Sequence, residues 1–150
     1  MEHVILVDAN DEEIGAIDKM EAHQQGLLHR AFSVLLFNKK GEMMIQKRAR
    51  SKYHSGGLWS NACCSHPRPG EKMQDAVSRR LHEELGIALT PTFSYKFIYR
   101  IEFENQLIEN EYDHVYVGTF EGTPLINTLE VEDYKFISER ELREHMKENP

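Results

Sequence analysis

The sequence predicts a single α+β domain in which helices pack on a mixed β-sheet. Three observations carry this. Short runs rich in β-branched and aromatic residues recur, with turn signals between them. Two amphipathic segments begin or end on recognisable caps. Strands and helices do not alternate in the regular way a parallel βαβ sheet requires. A chain of 150 residues, 40% of them hydrophobic, suits one domain with a real core, expected to span residues 1–150.

Residues 2–19, EHVILVDANDEEIGAIDK, read as a strand, a polar turn near Asn10 and Asp11, and a second strand. Residues 29–49, HRAFSVLLFNKKGEMMIQKRA, read as a hairpin turning at Lys40 and Gly41. Pro67 and Pro69 keep the chain extended before a helix over residues 71–86, EKMQDAVSRRLHEELG, which stops at Gly86. Further strands are expected in YKFIYRIEF (95–103) and EYDHVYVGTF (111–120). Ser138 and Glu141 form a capping box that opens a last helix.

The net charge of −7 argues against a nucleic acid or an anionic membrane as the main partner. It leaves room for a small anion met by local cations or metal ions. No apolar run approaches the roughly 18 residues of a membrane span, and the first twenty residues lack the basic-then-apolar pattern of a signal peptide. Two adjacent cysteines, Cys63 and Cys64, do not make an ordinary structural bridge, so a reduced, cytoplasmic protein is expected. Oligomeric state is left open.

Candidate site residues stand out where side-chain chemistry breaks the pattern expected of a core. At about 100° per residue, Met73, Ala76, Val77 and Leu81 make one apolar stripe, with Arg80 and Glu84 in its middle. Arg79 and Glu83 fall to one side, as a solvated i,i+4 pair. Buried charge is costly unless paired or metal-bound. Arg80 and Glu84 are therefore either a buried structural ion pair or a site-facing set in which Glu84 takes a divalent cation and Arg80 an anion. In LWSNACCSH (58–66), strand alternation puts Ala62, Cys64 and His66 on one face, and Trp59, Asn61 and Cys63 on the other. Cys63 is then packing and Cys64 the thiol beside His66. Glu109 and Glu111, two apart in LIENEYDH, share a strand face and repel unless a proton or metal compensates, although a solvent-facing edge is the alternative. Tyr99 could orient such a carboxylate.

There are eight histidines, and His3, His54, His82, His114 and His145 earn no role from spacing. His23 and His29 are six apart, a rotation of about 240° on a helix, so a joint role needs a loop that returns to a strand. Together His23, His29, His66, Glu109 and Glu111 make an oxygen- and nitrogen-rich set suited to Mn²⁺, Mg²⁺ or Zn²⁺.

The run Ser65-x5-Glu71-x7-Arg79-Arg80-Leu81-x-Glu83-Glu84-x-Gly86-Ile87 resembles the Nudix box, G-x5-E-x7-R-E-U-x-E-E-x-G-U. Ser65 stands for the leading Gly. Arg80 stands for the Glu after the Arg, which removes a carboxylate that Nudix hydrolases use for the metal that activates water. With EAHQQGLLHRAFS, GLWSNACCSHPRPGE, RRLHEELG and YRIEFENQLIENE, the chain resembles the type I isopentenyl-diphosphate Δ-isomerases, Nudix-fold enzymes of isoprenoid biosynthesis, from about residue 3 to residue 140. The resemblance implies a Nudix-like sheet flanked by helices. It implies interconversion of isopentenyl and dimethylallyl diphosphate by protonation and deprotonation through a carbocation-like intermediate. Cys64 and Glu111 would move the protons, with Tyr99 assisting Glu111. His23, His29, His66, Glu109 and Glu111 would hold a Mn²⁺- or Zn²⁺-type ion. Glu84 would bind Mg²⁺ with the diphosphate, and Lys19, Arg48, Lys52 and Arg80 would contact it; no flavin is implied. Two departures are expected to matter. The enterobacterial pattern of the family has one more residue between the two ligand histidines, so the loop around Gln25 and Gly26 should differ. The family also uses a tryptophan near its C-terminus, whereas the single Trp here is Trp59, so either a C-terminal segment is missing or the pocket is closed differently. The alternative within the same fold is a Nudix pyrophosphohydrolase acting on a nucleoside diphosphate derivative.

Overall fold

The strand His29–Phe37 (β3) organises the molecule, because its two faces bury different things. Its even positions Phe32, Val34 and Leu36 are buried in a hydrophobic core shared with Ala76, Val77, Leu81 and Leu85 of the helix Met73–Leu85 (α2). Its odd positions His29 and Ser33 are buried polar groups. A strand flanked on both sides reads as a near-continuous apolar run, and polar residues inside such a run mark a site. The structure, a computed structural model, describes residues 2–49, 59–103 and 106–148.

The remaining elements are β1 (His3–Val7), β2 (Glu13–Asp18), α1 (Lys19–Gln25), β4 (Met43–Arg48), β5 (Trp59–Asn61), β6 (Cys63–Ser65), β7 (Thr92–Glu102), β8 (Ile108–Thr119), β9 (Val131–Ile137) and α3 (Glu139–Glu148). They give the expected α+β arrangement, with nine strands among the described residues in one mixed sheet. Strand β8 runs parallel to β3 along its whole length, from His29↔Glu111 to Phe37↔Thr119. A strand has two edges, so the other edge of β3 is shared in sequence by β1 at His29, β6 at residues 32–34 and β4 at Phe37. The predicted hairpin at Lys40 and Gly41 is present, but its strands part after the Phe37↔Met43 pair. Strand β4 then pairs with β9 and β5. On the far side of β8 lies the antiparallel β7.

Two elements lie where no strand or helix was expected. Helix α1 falls in the segment read as a loop. Asp18 caps it, accepting hydrogen bonds from the amides of Met20 (3.1 Å) and Glu21 (3.3 Å), and Gly26 closes it at φ 68°. Its seven residues are too few to show amphipathic periodicity. Strand β9 has only its two ends, Val131 and Ile137, buried, so its alternation is weak. The predicted cap of α3 is made: Ser138 Oγ accepts from the amide of Glu141 at 3.2 Å, and Glu141 accepts from the amide of Ser138 at 3.3 Å.

Gly26 links the first helix to the site. A Cβ here would lie 3.1 Å from Ile108 Cδ1 in a left-handed conformation, and its carbonyl accepts a hydrogen bond from Asn110 Nδ2 at 3.1 Å. Gly26→Ala should therefore cost about 1–3 kcal/mol, measured by denaturant unfolding. Any shift it causes would reach the strand that carries Glu109 and Glu111.

Candidate active site

Register sets the site. Residues paired across neighbouring strands point to the same face. His29, Glu111 and Tyr99 are Cα partners in one row across β3, β8 and β7. Cys64 is the partner of Ser33 across β6 and β3. Helix α1 brings His23 over this face, and the chain leaving β6 brings His66. The three imidazoles cluster, with ring centroids 5.3 Å (His23–His29), 5.9 Å (His23–His66) and 5.0 Å (His29–His66) apart. Glu111 Oε2 lies 3.0 Å from His66 Nε2 and 3.4 Å from His29 Nε2. One donor atom from each of His23, His29, His66 and Glu111 falls within 4.8 Å of all the others. Glu109, the fifth expected ligand, lies outside this group of four and is met by the Tyr99 hydroxyl at 3.2 Å.

The donor set fits a metal ion. His29 Nδ1 is 2.9 Å from the Leu27 carbonyl. A carbonyl can only accept, so Nδ1 carries the hydrogen and Nε2 turns a lone pair toward Glu111. Three imidazoles with a carboxylate form a borderline-soft nitrogen and oxygen set of the kind that takes Zn²⁺ or Mn²⁺.

The protonation of these groups follows from burial and their neighbours. Burial works against an ionised Glu111, but the imidazoles of His29 and His66 beside it hold it well below the usual carboxylate range. Burial lowers His66, with Glu111 partly opposing. The Tyr99 hydroxyl donates to Glu111 and, at 3.2 Å, to Glu109. Burial and those two carboxylates raise it far above an ordinary phenol. Burial pushes the Cys64 thiol up to about 12, with Asp113, Glu84 and Glu111 adding to it against the contact from Ser33.

Beside this cluster opens a cavity of about 500 Å³, whose walls include Cys64, His66, Tyr99, Glu109 and Glu111. Three of the four expected cations, Lys19, Arg48 and Arg80, also line it. Lys52 lies outside the described residues. Lys19 Nζ pairs with Glu2 at 3.0 Å. Arg80 points inward as its helical phase predicted, and contacts Glu83 (3.2 Å), Glu84 (3.1 Å) and Glu130 (3.4 Å). Burial opposes its charge, but Glu84 and Glu130 more than offset that and keep it protonated. Its Nε is buried without a hydrogen-bond partner among the described residues.

Glu84 is buried behind Arg80 and set apart from the histidine cluster. Gln46 Nε2 donates to its Oε1 at 3.0 Å, and Cys63 Sγ lies 3.4 Å from its Oε2. Arg79 departs from the solvated pair expected of it. Besides Glu83 at 2.9 Å, it holds Glu71 through two bonds, 2.8 and 3.0 Å, and its side chain is mostly buried. It staples the loop after β6 to α2. The alternation expected through LWSNACCSH also breaks. Ala62 is buried in the core with Cys63, whereas Cys64 faces the cavity. A bend at Ala62 separates β5 from β6 and shifts the phase by one. The separation of the two thiols holds, because Cys63, Cys64 and Ser65 form one strand.

Ser33, Asp113, Glu2 and Glu130 line the cavity and escaped the sequence reading. Period-two counting from His29 reaches Ser33, and from Glu109 and Glu111 it reaches Asp113. The placement of Glu2 and Glu130 depends on long-range packing that no local pattern encodes.

A family model for the NUDIX domain matches residues 27–150. A protein of Aromatoleum aromaticum named isopentenyl-diphosphate Delta-isomerase 1 is 51% identical over 99% of this chain and 84% of its own length. Isopentenyl-diphosphate Delta-isomerase 2 of the same organism is 47% identical over 99% of this chain and 79% of its own. Burkholderia multivorans has an isopentenyl-diphosphate Delta-isomerase 50% identical over 99% of this chain and 85% of its own. Among solved structures, DR0079 from Deinococcus radiodurans superposes with a TM-score of 0.81 at 21% identity, covering 99% of this chain and 90% of that one. The MutT protein from Methanosarcina mazei superposes at 0.66 with 19% identity, covering 77% and 80%. Both structural likenesses speak to the fold.

Proposed function

The chain belongs to the NUDIX domain family and, within it, to the isopentenyl-diphosphate Delta-isomerases, and on that premise we propose how its own residues carry the reaction. The enzyme interconverts isopentenyl diphosphate and dimethylallyl diphosphate. The double bond moves when a proton is added at one end of the allylic unit and another is removed from the other end. The intermediate resembles a tertiary carbocation on an apolar skeleton, so acid and base must flank it with water held out. The observation that carries the reading is the layout around β3: Cys64 comes from β6 on one edge, and Glu111 with Tyr99 from β8 and β7 on the other, all lining one cavity.

Cys64 and Glu111 exchange protons with the substrate, and Tyr99 holds Glu111 in place. His23, His29, His66 and Glu111 hold a Mn²⁺- or Zn²⁺-type ion, with Glu109 beside them. The ion, when bound, supplies a fixed positive charge that resets the proton affinity of the carboxylate next to it. Lys19, Arg48, Lys52 and Arg80 anchor the diphosphate, which takes no part in the chemistry but fixes the allylic unit between the two proton-transfer groups. Glu84 would hold Mg²⁺ with the diphosphate, where the ion would supply further positive charge to anchor it. Both cysteines are free thiols, which suits a reducing cytoplasm, and no helix of the described residues is long and apolar enough to cross a membrane. We take residues 1–150 as one domain.

The test is incubation with isopentenyl diphosphate and Mg²⁺ in D₂O, followed by NMR. Dimethylallyl diphosphate carrying deuterium is expected. Phosphate release from a nucleotide panel without isomerisation would overturn the reading. Arg80 separates the two outcomes, since it stands where the Nudix box has a Glu. Arg80→Ala should weaken substrate binding by about 10- to 100-fold, the equivalent of a charge-assisted contact of about 1.5–3 kcal/mol. The loss should appear mainly in KM if the contact is equally strong in the ground and transition states.

A further inference from the structure

Beside Cys64 lies a buried polar pair that the proton transfers leave unused. Ser33 Oγ donates to Asp113 Oδ2 at 2.7 Å, and Cys64 Sγ lies 3.7 Å from Ser33 Oγ, within reach of a thiol hydrogen bond given the larger radius of sulfur. Ser33 and Asp113 are 6% and 5% exposed. Register explains the meeting. Ser33 is the partner of Cys64 across β6, and Asp113 is the partner of Ala31, one step diagonally away on the same face. A serine hydroxyl has one hydrogen and two lone pairs. Here the hydrogen goes to Asp113, so the oxygen is left to accept, and the S–H of Cys64 is the donor aimed at it.

We propose, on the isomerase reading above, that Ser33 is a positioning residue for Cys64, and that Asp113 sets the direction of the hydrogen bond between them. The pair fixes both the Cys64 rotamer and the rotation of its S–H. A thiol is a free rotor with a small side chain, and among the described residues the Ser33 hydroxyl on β3 is the group its hydrogen meets. Proton transfer to or from carbon needs the sulfur on a defined line with the reacting atom, and a misplacement of about 1 Å can cost roughly 100-fold. Ser33 would thus act through Cys64, without touching the diphosphate or the imidazole cluster. The carboxylate also gives a reason for a serine rather than an alanine at this position of β3. An alanine there would leave Asp113, whose Oδ1 is already buried without a hydrogen-bond partner, with neither oxygen satisfied.

The test uses the full-length protein with its metal. The Cys63→Ala background leaves Cys64 as the single thiol, so its S–H stretch can be read by Raman spectroscopy. A band displaced to lower wavenumber, as for a hydrogen-bonded thiol, is expected. It should move back on Ser33→Ala and also on Asp113→Ala, which frees the serine hydroxyl to turn. In kinetics Ser33→Ala should lower kcat by about 10- to 100-fold, with KM and bound metal within about twofold of wild type. Ser33→Thr, which keeps the hydroxyl, should recover most of the rate. Adding Asp113→Ala to Ser33→Ala should cost little more, since the two act as one unit. A free-thiol band in the Cys63→Ala protein overturns the proposal, and that reading needs no variant of the pair to fold. So does a rate loss in Ser33→Ala that lies in KM or in metal content, or one that Ser33→Thr fails to recover. If isomerisation is absent altogether, the parent reading fails, and the band position still reports whether the hydrogen bond exists.

Discussion

Cys64→Ala is expected to remove isomerisation, by about 10²- to 10⁴-fold for the loss of a proton-transfer group. Cys63→Ala should leave the rate near wild type and cost about 1 kcal/mol of stability. The two thiols are neighbours in sequence but belong to different environments. Cys63 is fully buried among Phe32, Val34, Ala76 and Leu81, and burial together with Glu84 holds its thiol well above the ordinary range. Cys64 is partly exposed, faces the cavity and sits one residue from Ser65 and two from His66. Removing the Cys63 sulfur also takes away a weak donor to Glu84 Oε2, but Arg80 at 3.1 Å remains on the same oxygen. Steady-state rates and denaturant unfolding of both variants decide the matter. Equal loss of rate in two folded variants would show that both sulfurs serve the reaction.

How far such distinctions could be read from sequence depends on whether the cause is local. The inward turn of Arg80 on α2 follows from helical phase, the end of that helix from Gly86, and the last helix from the Ser138–Glu141 box; each is decided within a few residues. Cys64 and His66 still line one cavity, although His66 lies just past β6, and period two holds within Cys63–Ser65. It fails at Ala62, where a bend lets Ala62 and Cys63 enter the core together, and no residue in SNACCSH announces that bend. The metal set was legible as a list of residue types, while its assembly was not. His23 arrives on a helix too short to show its period, and Glu111 meets His29 only because β8 runs parallel to β3 in one particular register. A slip of one residue would turn Glu111 to the far face. Glu109 shares a face with Glu111, as spacing required, yet one step along the strand carries it out of the group of four. Arg79 looked like a surface ion pair because its second partner, Glu71, lies outside the helix, in the loop that the two prolines shape.

The largest effect is expected at Glu111, where ligand and proton-transfer roles coincide. Its Oε2 meets His66 and His29, and its Oε1 accepts from Tyr99. Glu111→Gln keeps the shape but supplies neither a negative ligand nor a proton acceptor. Metal affinity should fall by at least the roughly 10–100-fold that follows the loss of even an outer partner of a metal ligand. The catalysed rate should fall by a further 10²- to 10⁴-fold or so. His66→Ala removes one imidazole and leaves the carboxylate, so its affinity should drop while excess metal restores part of the rate. Tyr99→Phe removes the hydroxyl that holds Glu111, and should cost less than either. Metal titrations read by elemental analysis and by turnover separate the two roles. Wild type should carry about one tightly held ion per chain, and Glu111→Gln should stay inactive even when metal is forced back. If Glu111→Gln regained the wild-type rate at saturating metal, the carboxylate would be a ligand alone, and the second proton would have to pass through Glu109 or Tyr99, the two groups that already share its hydrogen bonds.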